Sequence, residues 1–230
     1  MTLTVRFVLG FLCLTFGLVA AAQAAEYAYV VSYIEAMPSA RDKAAGMIRQ
    51  LAKASRKDAG SVRFEALQRI GHPGQFAILE VWDGEKDREA HAAAGHTKDF
   101  REQLNPLLRA PYDERPHTGL SVGAAPEGKA AVAKGAIYAV THVDIVPKLK
   151  DEGVAAVKQL SEASRGDKGN LRFDALTQTS RPNHMTLVEL WTDQKAVDAH
   201  GNAEHTRRFR GTLMPMSGSL FDQRLYRALE

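Results

Sequence analysis

Phe76-Ala-Ile-Leu-Glu-Val-Trp82 reads as a β-strand whose two faces are both apolar. Alternation sets Phe76, Ile78 and Trp82 on one face and Ala77, Leu79 and Val81 on the other. Both faces must therefore be covered. Helices of the same unit can cover only one face of an antiparallel sheet, so the other face needs a second sheet. The chain carries its own supplier, because Met185-Thr-Leu-Val-Glu-Leu-Trp191 repeats the strand. The likeness extends in both directions. Ala54-Ser55-Arg56 recurs as Ala163-Ser164-Arg165, Arg63-Phe64 as Arg172-Phe173, Ala90-His91 as Ala199-His200, and His96 and Phe100 as His205 and Phe209. Every pair is 109 positions apart (64 to 173, 82 to 191, 96 to 205), so no gap interrupts the match.

Two modules follow, residues 26–120 and 136–230, joined by residues 121–135 (SVGAAPEGKAAVAKG), whose Gly and Ala content reads as a linker. Within a module the pattern is strand, helix, strand, strand, helix, strand. Residues 27–34 and 136–143 are β-rich and each precedes a proline, Pro38 or Pro147. Ala44, Met47, Ile48, Leu51 and Ala52 fall at helical spacing, as do Leu149, Val154, Val157 and Leu160. Gly60 and Gly169 break the chain, residues 62–67 alternate, and a turn at His72-Pro73-Gly74 leads into the quoted strand. Residues 221–229 suit a last strand. The counterpart around Arg115-Pro116-His117 suits an edge or an exit, since Pro116 has no N–H to donate. The expected fold is α+β: two tandem ferredoxin-like βαββαβ modules packed sheet to sheet as an intrachain pseudo-dimeric α/β barrel.

Residues 1–24 read as a signal peptide, with Arg6, an apolar run over 7–22, and Ala22-Gln23-Ala24 ahead of a cleavage point; an uncleaved anchor is the alternative. The expected location is periplasmic or secreted, without stable membrane insertion after cleavage. Cys13, the single cysteine of the 230 residues, lies in that run. No disulfide can form in the remainder, so packing alone must hold the modules. The net charge of +3 arises from interspersed charges of both signs, which argues against a nucleic-acid partner.

The residues able to carry chemistry are repeated too. Glu80 and Glu189 lie mid-strand where desolvation would raise their pKa, and Arg63 and Arg172 on the neighbouring strand are candidate cations, either as structural ion pairs or around a ligand cavity. Trp82 and Trp191 could plug a barrel end or form a flat wall with one N–H donor for an aromatic ligand. His91, His96, His200 and His205 lie on helical stretches that Gly95 interrupts in the first copy. They could be helix-terminal residues or proton acceptors. A spacing of five puts side chains ~140° apart on an unbroken helix, which argues against a metal pair of the i, i+4 type.

Glu80-Val81-Trp82, Ala90-His91, His96 and Phe100, with Glu189-Leu190-Trp191, Ala199-His200, His205 and Phe209, resemble the antibiotic biosynthesis monooxygenase domain. The family includes quinol oxidases, polyketide oxygenases and haem degraders. The resemblance implies oxidation of a hydroquinone or phenolic aromatic by O2 with no cofactor: His91, His96, His200 and His205 as candidate bases, Arg63, Glu80, Trp82 and Phe100 with Arg172, Glu189, Trp191 and Phe209 as substrate-binding residues. A non-catalytic exported module holding a small apolar or aromatic ligand is the alternative, and haem binding or degradation a third. Two departures stand out: Thr97 and Thr206 follow the second histidine where the family often has an aromatic, and Ser32, Tyr33, Thr141 and His142 occupy the region where haem degraders carry Asn. The paired copies are expected to associate within the chain, with further oligomerisation open.

Overall fold

The computed structural model describes residues 26–123 and 135–229. The expected signal peptide (residues 1–24) and residues 124–134 of the expected linker lie outside the described residues. Each module opens with a strand, β1 (Ala28–Glu35) or β5 (Ile137–Asp144). A 3-10 turn begun by Pro38 or Pro147 then leads into α1 (Arg41–Ser55) or α4 (Lys150–Ser164). Proline suits that entry because the first helical N–H groups have no intrahelical acceptor. The hairpins are β2 (Ser61–Arg69) with β3 (Gln75–Trp82) and β6 (Asn170–Gln178) with β7 (His184–Trp191). Two short helices follow in each copy, α2 (Glu85–Ala93) and α3 (Gly95–Leu104), then α5 (Gln194–Gly201) and α6 (Glu204–Leu213). The last strands are β4 (Asp113–Ser121) and β8 (Asp222–Ala228). Among the described residues no helix is long and apolar enough to cross a membrane.

The eight strands close into one antiparallel barrel in the order β1-β3-β2-β8-β5-β7-β6-β4. The sheets thus do more than face each other. Each last strand pairs with β1 or β5 of its own module and with a hairpin of the other, β8 on β2 and β4 on β6. Closure leaves no sheet edge exposed. Pro116 therefore stands in a strand paired on both sides, not at an edge. It is tolerated because it lies just past the end of β6, where its carbonyl still accepts from the Thr179 N–H at 3.0 Å. Ser121 completes β4 and the Gly123 N–H donates to Asp174 Oδ1 at 3.0 Å, so these first residues of the expected linker belong to the fold.

The two faces of the decisive strand divide as its alternation predicts. Phe76, Ile78 and Trp82 pack under the helices with Ala44, Ile48, Leu51 and Ala52 of α1 and Phe100 and Leu104 of α3. Ala77, Leu79 and Val81 meet Tyr138, Val140, Leu176, Val188 and Tyr226 of the other module inside the barrel. Little space is left in this part of the interior: the cavity beside Tyr29, Leu79 and Arg172 is ≈ 20 Å³, room for about one water. Among the described residues, the hollow inside the barrel beside each indole that sheet-to-sheet packing would suggest is absent. Large aromatic side chains occupy that space, and the indoles are on the opposite face.

Candidate functional site

Each module places a histidine–carboxylate cluster between its sheet and its helices. In the first copy, Asp58 comes from the turn after α1. Glu80 and Trp82, two apart on β3, project together toward the helices. His91 sits in the last turn of α2 and His96 in the first turn of α3. The histidines meet because α2 and α3 are separate helices, with Ala94 extended between them (φ −63°, ψ 145°). Their ring centroids are 5.5 Å apart. The argument from spacing on an unbroken helix therefore does not carry over to the folded chain.

A string of contacts runs from the surface inward. Asp58 Oδ2 is 3.1 Å from His96 Nε2, and the His91 Nδ1–H donates to the same oxygen at 2.8 Å. His91 Nε2 stands 3.9 Å from Glu80 Oε2, which also accepts the Trp82 indole N–H at 2.8 Å. The His91 ring stacks on Trp82, centroids 4.5 Å apart and planes at 22°, and meets Phe64 edge-on. Thr97 Oγ1 stands 3.4 Å from both His91 nitrogens, so the small residue after the second histidine leaves that ring room. The second copy repeats the set. Asp167 Oδ2 is 2.7 Å from His200 Nδ1 and 3.0 Å from His205 Nε2. Trp191 donates to Glu189 at 2.9 Å, Glu189 lies 3.8 Å from His200 Nε2, and His200 stacks on Trp191 at 4.6 Å.

Burial pushes the carboxyls of Glu80 and Glu189 up to about 7, against the lowering effect of the indole hydrogen bonds. His91 and His200 are held below the usual histidine value, chiefly by burial, with Asp58 and Asp167 opposing.

Not every expected residue joins the cluster. The hairpin register pairs Phe64 with Glu80 and Phe173 with Glu189, so Arg63 and Arg172 face away from those carboxylates into the barrel. Arg172 instead donates to Glu65 of the other module at 2.8 Å, a residue that also accepts from the Tyr138 hydroxyl at 2.9 Å. Trp82 and Trp191 are fully buried and neither plug the barrel nor offer an open wall. Phe100 and Phe209 are buried in the same layer, and Phe100 also lines a groove above it.

That groove, ≈ 290 Å³ between α1 and α3, is lined by Met47, Leu51, Ala54 and Phe100 with polar Gln50, His96, Asp99 and Gln103. Its size is near the lower end for small-molecule sites. His96 is the member of the cluster that reaches it. At the matching positions of copy two, Ala156 replaces Met47 and Arg208 replaces Asp99, so the corresponding face of copy two has a smaller side chain and the opposite charge there. Asp58 and Asp167 were not singled out from sequence. A signal was present: both sit at the 109-residue offset two positions after the Ala-Ser-Arg motif, whereas the intervening residues, Lys57 and Gly166, differ.

The family model described as antibiotic biosynthesis monooxygenase matches residues 28–103 and 136–212. A Bacillus subtilis (strain 168) protein named "Putative monooxygenase YcnE" is 27% identical over 82 residues, 36% of this chain and 86% of that protein. A solved structure from Fusobacterium nucleatum subsp. nucleatum ATCC 25586, which carries the same monooxygenase description, superposes with a TM-score of 0.79 at 14% identity, over 90% of this chain and 94% of its own. An anthrone oxidase-like protein superposes with a TM-score of 0.67 at 11% identity, over 90% and 93%. At those identities the structural likeness is one of fold, a whole two-module barrel in one chain.

Proposed function

Since this chain belongs to the antibiotic biosynthesis monooxygenase family, we propose that it oxidises an electron-rich hydroquinone or phenol with O2, using protein side chains alone. The observation that carries the reading is His96 lining a groove of mixed apolar and polar walls, backed by the Asp58 carboxylate. Triplet O2 takes electrons from a closed-shell molecule one at a time, so the substrate must first become an easily oxidised anion. His96 would accept the phenolic proton. Asp58 would stabilise the imidazolium that results, as a carboxylate does behind other catalytic histidines. Met47, Leu51 and Phe100 would exclude water, and the Gln50 and Gln103 amides could donate to the developing oxyanion. His91 would act through Asp58 as a positioning residue. The overall reaction balances without an external reductant: hydroquinone and O2 become hydroxyquinone and water, the substrate supplying all four electrons. The signal-like residues 1–24 support placing this activity outside the cytoplasm.

The test is O2 uptake by the purified full chain, freed of metal and flavin, against a panel of hydroquinones. His96→Ala combined with His205→Ala should reduce the rate to the buffer's autoxidation. Arg63→Ala, which alters the barrel interior, should not. A wild-type rate no faster than autoxidation across the panel would remove the catalytic reading and leave ligand binding alone.

A further inference from the structure

We propose that each module binds one divalent first-row transition-metal ion, ligated by Asp58, His91 and His96 in the first copy and by Asp167, His200 and His205 in the second. In both modules one carboxylate oxygen and two imidazole nitrogens lie within 4.8 Å of one another. The carboxylate–nitrogen separations are 2.8 and 3.1 Å in one and 2.7 and 3.0 Å in the other. Ligands held ~2.0 Å from a common tetrahedral ion stand roughly 3.3 Å apart, so the carboxylate–nitrogen separations are within a few tenths of an ångström of those a shared ion requires.

Three further observations favour an ion over a plain hydrogen-bond cluster. First, His96 Nε2 is buried and makes no hydrogen bond of acceptable geometry, although Asp58 Oδ2 is 3.1 Å away. The carboxylate stands beside this nitrogen rather than in line with it, as a fellow ligand does. The matching His205 contact does qualify as a hydrogen bond. Second, the surroundings are those of a ligating histidine, whose remaining N–H usually faces a carboxylate. Glu80 and Glu189 stand 3.9 and 3.8 Å behind His91 and His200, themselves held by indole N–H groups, and the stacked indoles fix the ring planes. Third, the copies have diverged nearby, at Met47/Ala156 and Asp99/Arg208, while all six donors and both backing carboxylates are retained.

Two imidazoles and one carboxylate suit Zn2+, Co2+, Ni2+ or Fe2+ better than Mg2+ or Ca2+. Three protein ligands leave a further coordination position for water or an exogenous ligand. An ion held between His96 Nε2 and Asp58 Oδ2 would take up the carboxylate contact that the oxygenase reading uses to stabilise the imidazolium. Metal-loaded and metal-free protein are therefore alternative states, and this inference stands independently of that reading.

The experiment uses untagged, chelator-treated full chain titrated with CoCl2. Visible d–d absorption reports binding, equilibrium dialysis with elemental analysis reports stoichiometry, and ZnCl2 serves as competitor. The expected result is two Co2+ per chain, displaced by Zn2+, with dissociation constants of about 1 µM or tighter. Asp58→Asn or His96→Ala should leave one ion. Asp58→Asn with Asp167→Asn should weaken binding by more than about 100-fold while the circular dichroism and unfolding transition are retained. His184→Ala, remote from both clusters, should leave two ions. Absence of the cobalt spectrum in the wild type, or two ions still bound by the folded double variant, would overturn the proposal. Neither readout depends on turnover.

Discussion

His117 shows what burial does to one titratable side chain in this barrel. Its Nδ1–H donates to the Arg115 carbonyl at 2.7 Å, and its Nε2 accepts from the Thr186 hydroxyl at 2.9 Å. It is 2% exposed, and burial pushes its pKa down to about 4, against the backbone hydrogen bond; the Arg115 and His142 charges act in the same direction as burial. The folded pKa is depressed, so this contribution to stability is complete above the unfolded value near 6.5. It is lost as pH falls toward 4, by about 2 kcal/mol at pH 5. Glu80 and Glu189 act with the opposite sign, since their raised values favour the folded state on acidification. The useful measurement is therefore a difference: between pH 7.5 and 5, wild type should lose about 2 kcal/mol more than His117→Gln in urea unfolding. Parallel pH profiles for the two proteins would contradict the assignment.

At the scale of elements, the junction of α1 with β2 decides whether Asp58 reaches the histidines. Gly60 ends that turn at φ +70°, and a Cβ there would lie 2.3 Å from the Asp87 carboxyl carbon on α2. Its carbonyl also accepts the Asp83 N–H at 2.8 Å, which ties the turn to the end of β3. Gly60→Ala should cost about 2 to 3 kcal/mol, from left-handed backbone strain plus displacement of Asp87. Gly46→Ala, inside α1 with nothing near the new methyl, should add roughly 0.5 to 1 kcal/mol. Urea midpoints of the two variants moving in the same direction would show that local backbone geometry is not what controls them. Ala94 has a comparable role between α2 and α3, where its extended backbone turns the first residues of α3 back toward His91.

At the scale of the whole molecule, the modules complete each other. β2 with β8 and β4 with β6 form the two seams, and the Arg172–Glu65 pair, each side chain under 15% exposed, crosses the interior. Arg63 occupies in copy one the position that Arg172 holds in copy two. An isolated first module, residues 26–123, would have unpaired edges at β2 and β4 and an apolar sheet face in water. It would also carry both members of an Arg63–Glu65 pair able to form across a two-fold axis. It should therefore dimerise by mimicking the missing copy. Light scattering at micromolar concentration should report twice the module mass, and a stable monomer with a wetted sheet would refute the interdependence.

Strand alternation, the stripe on α1 and the 109-residue offset were legible in the chain because each is a periodicity, and a periodicity needs no knowledge of what lies across from it. From these came the βαββαβ module, its duplication, the need for a second sheet, and the histidines, glutamates and indoles of the candidate site. Facing was not legible. A shift of one residue in the β2–β3 register sends a side chain to the opposite face, and it is Phe64, not Arg63, that lies opposite Glu80. Nor could sequence show that Asp58 joins two histidines more than thirty residues away, since that contact depends on a turn, a helix break and the packing of α2 on the sheet together. Whether the barrel encloses a hollow or a packed core is a question of volume, and only the assembled side chains of both modules answer it.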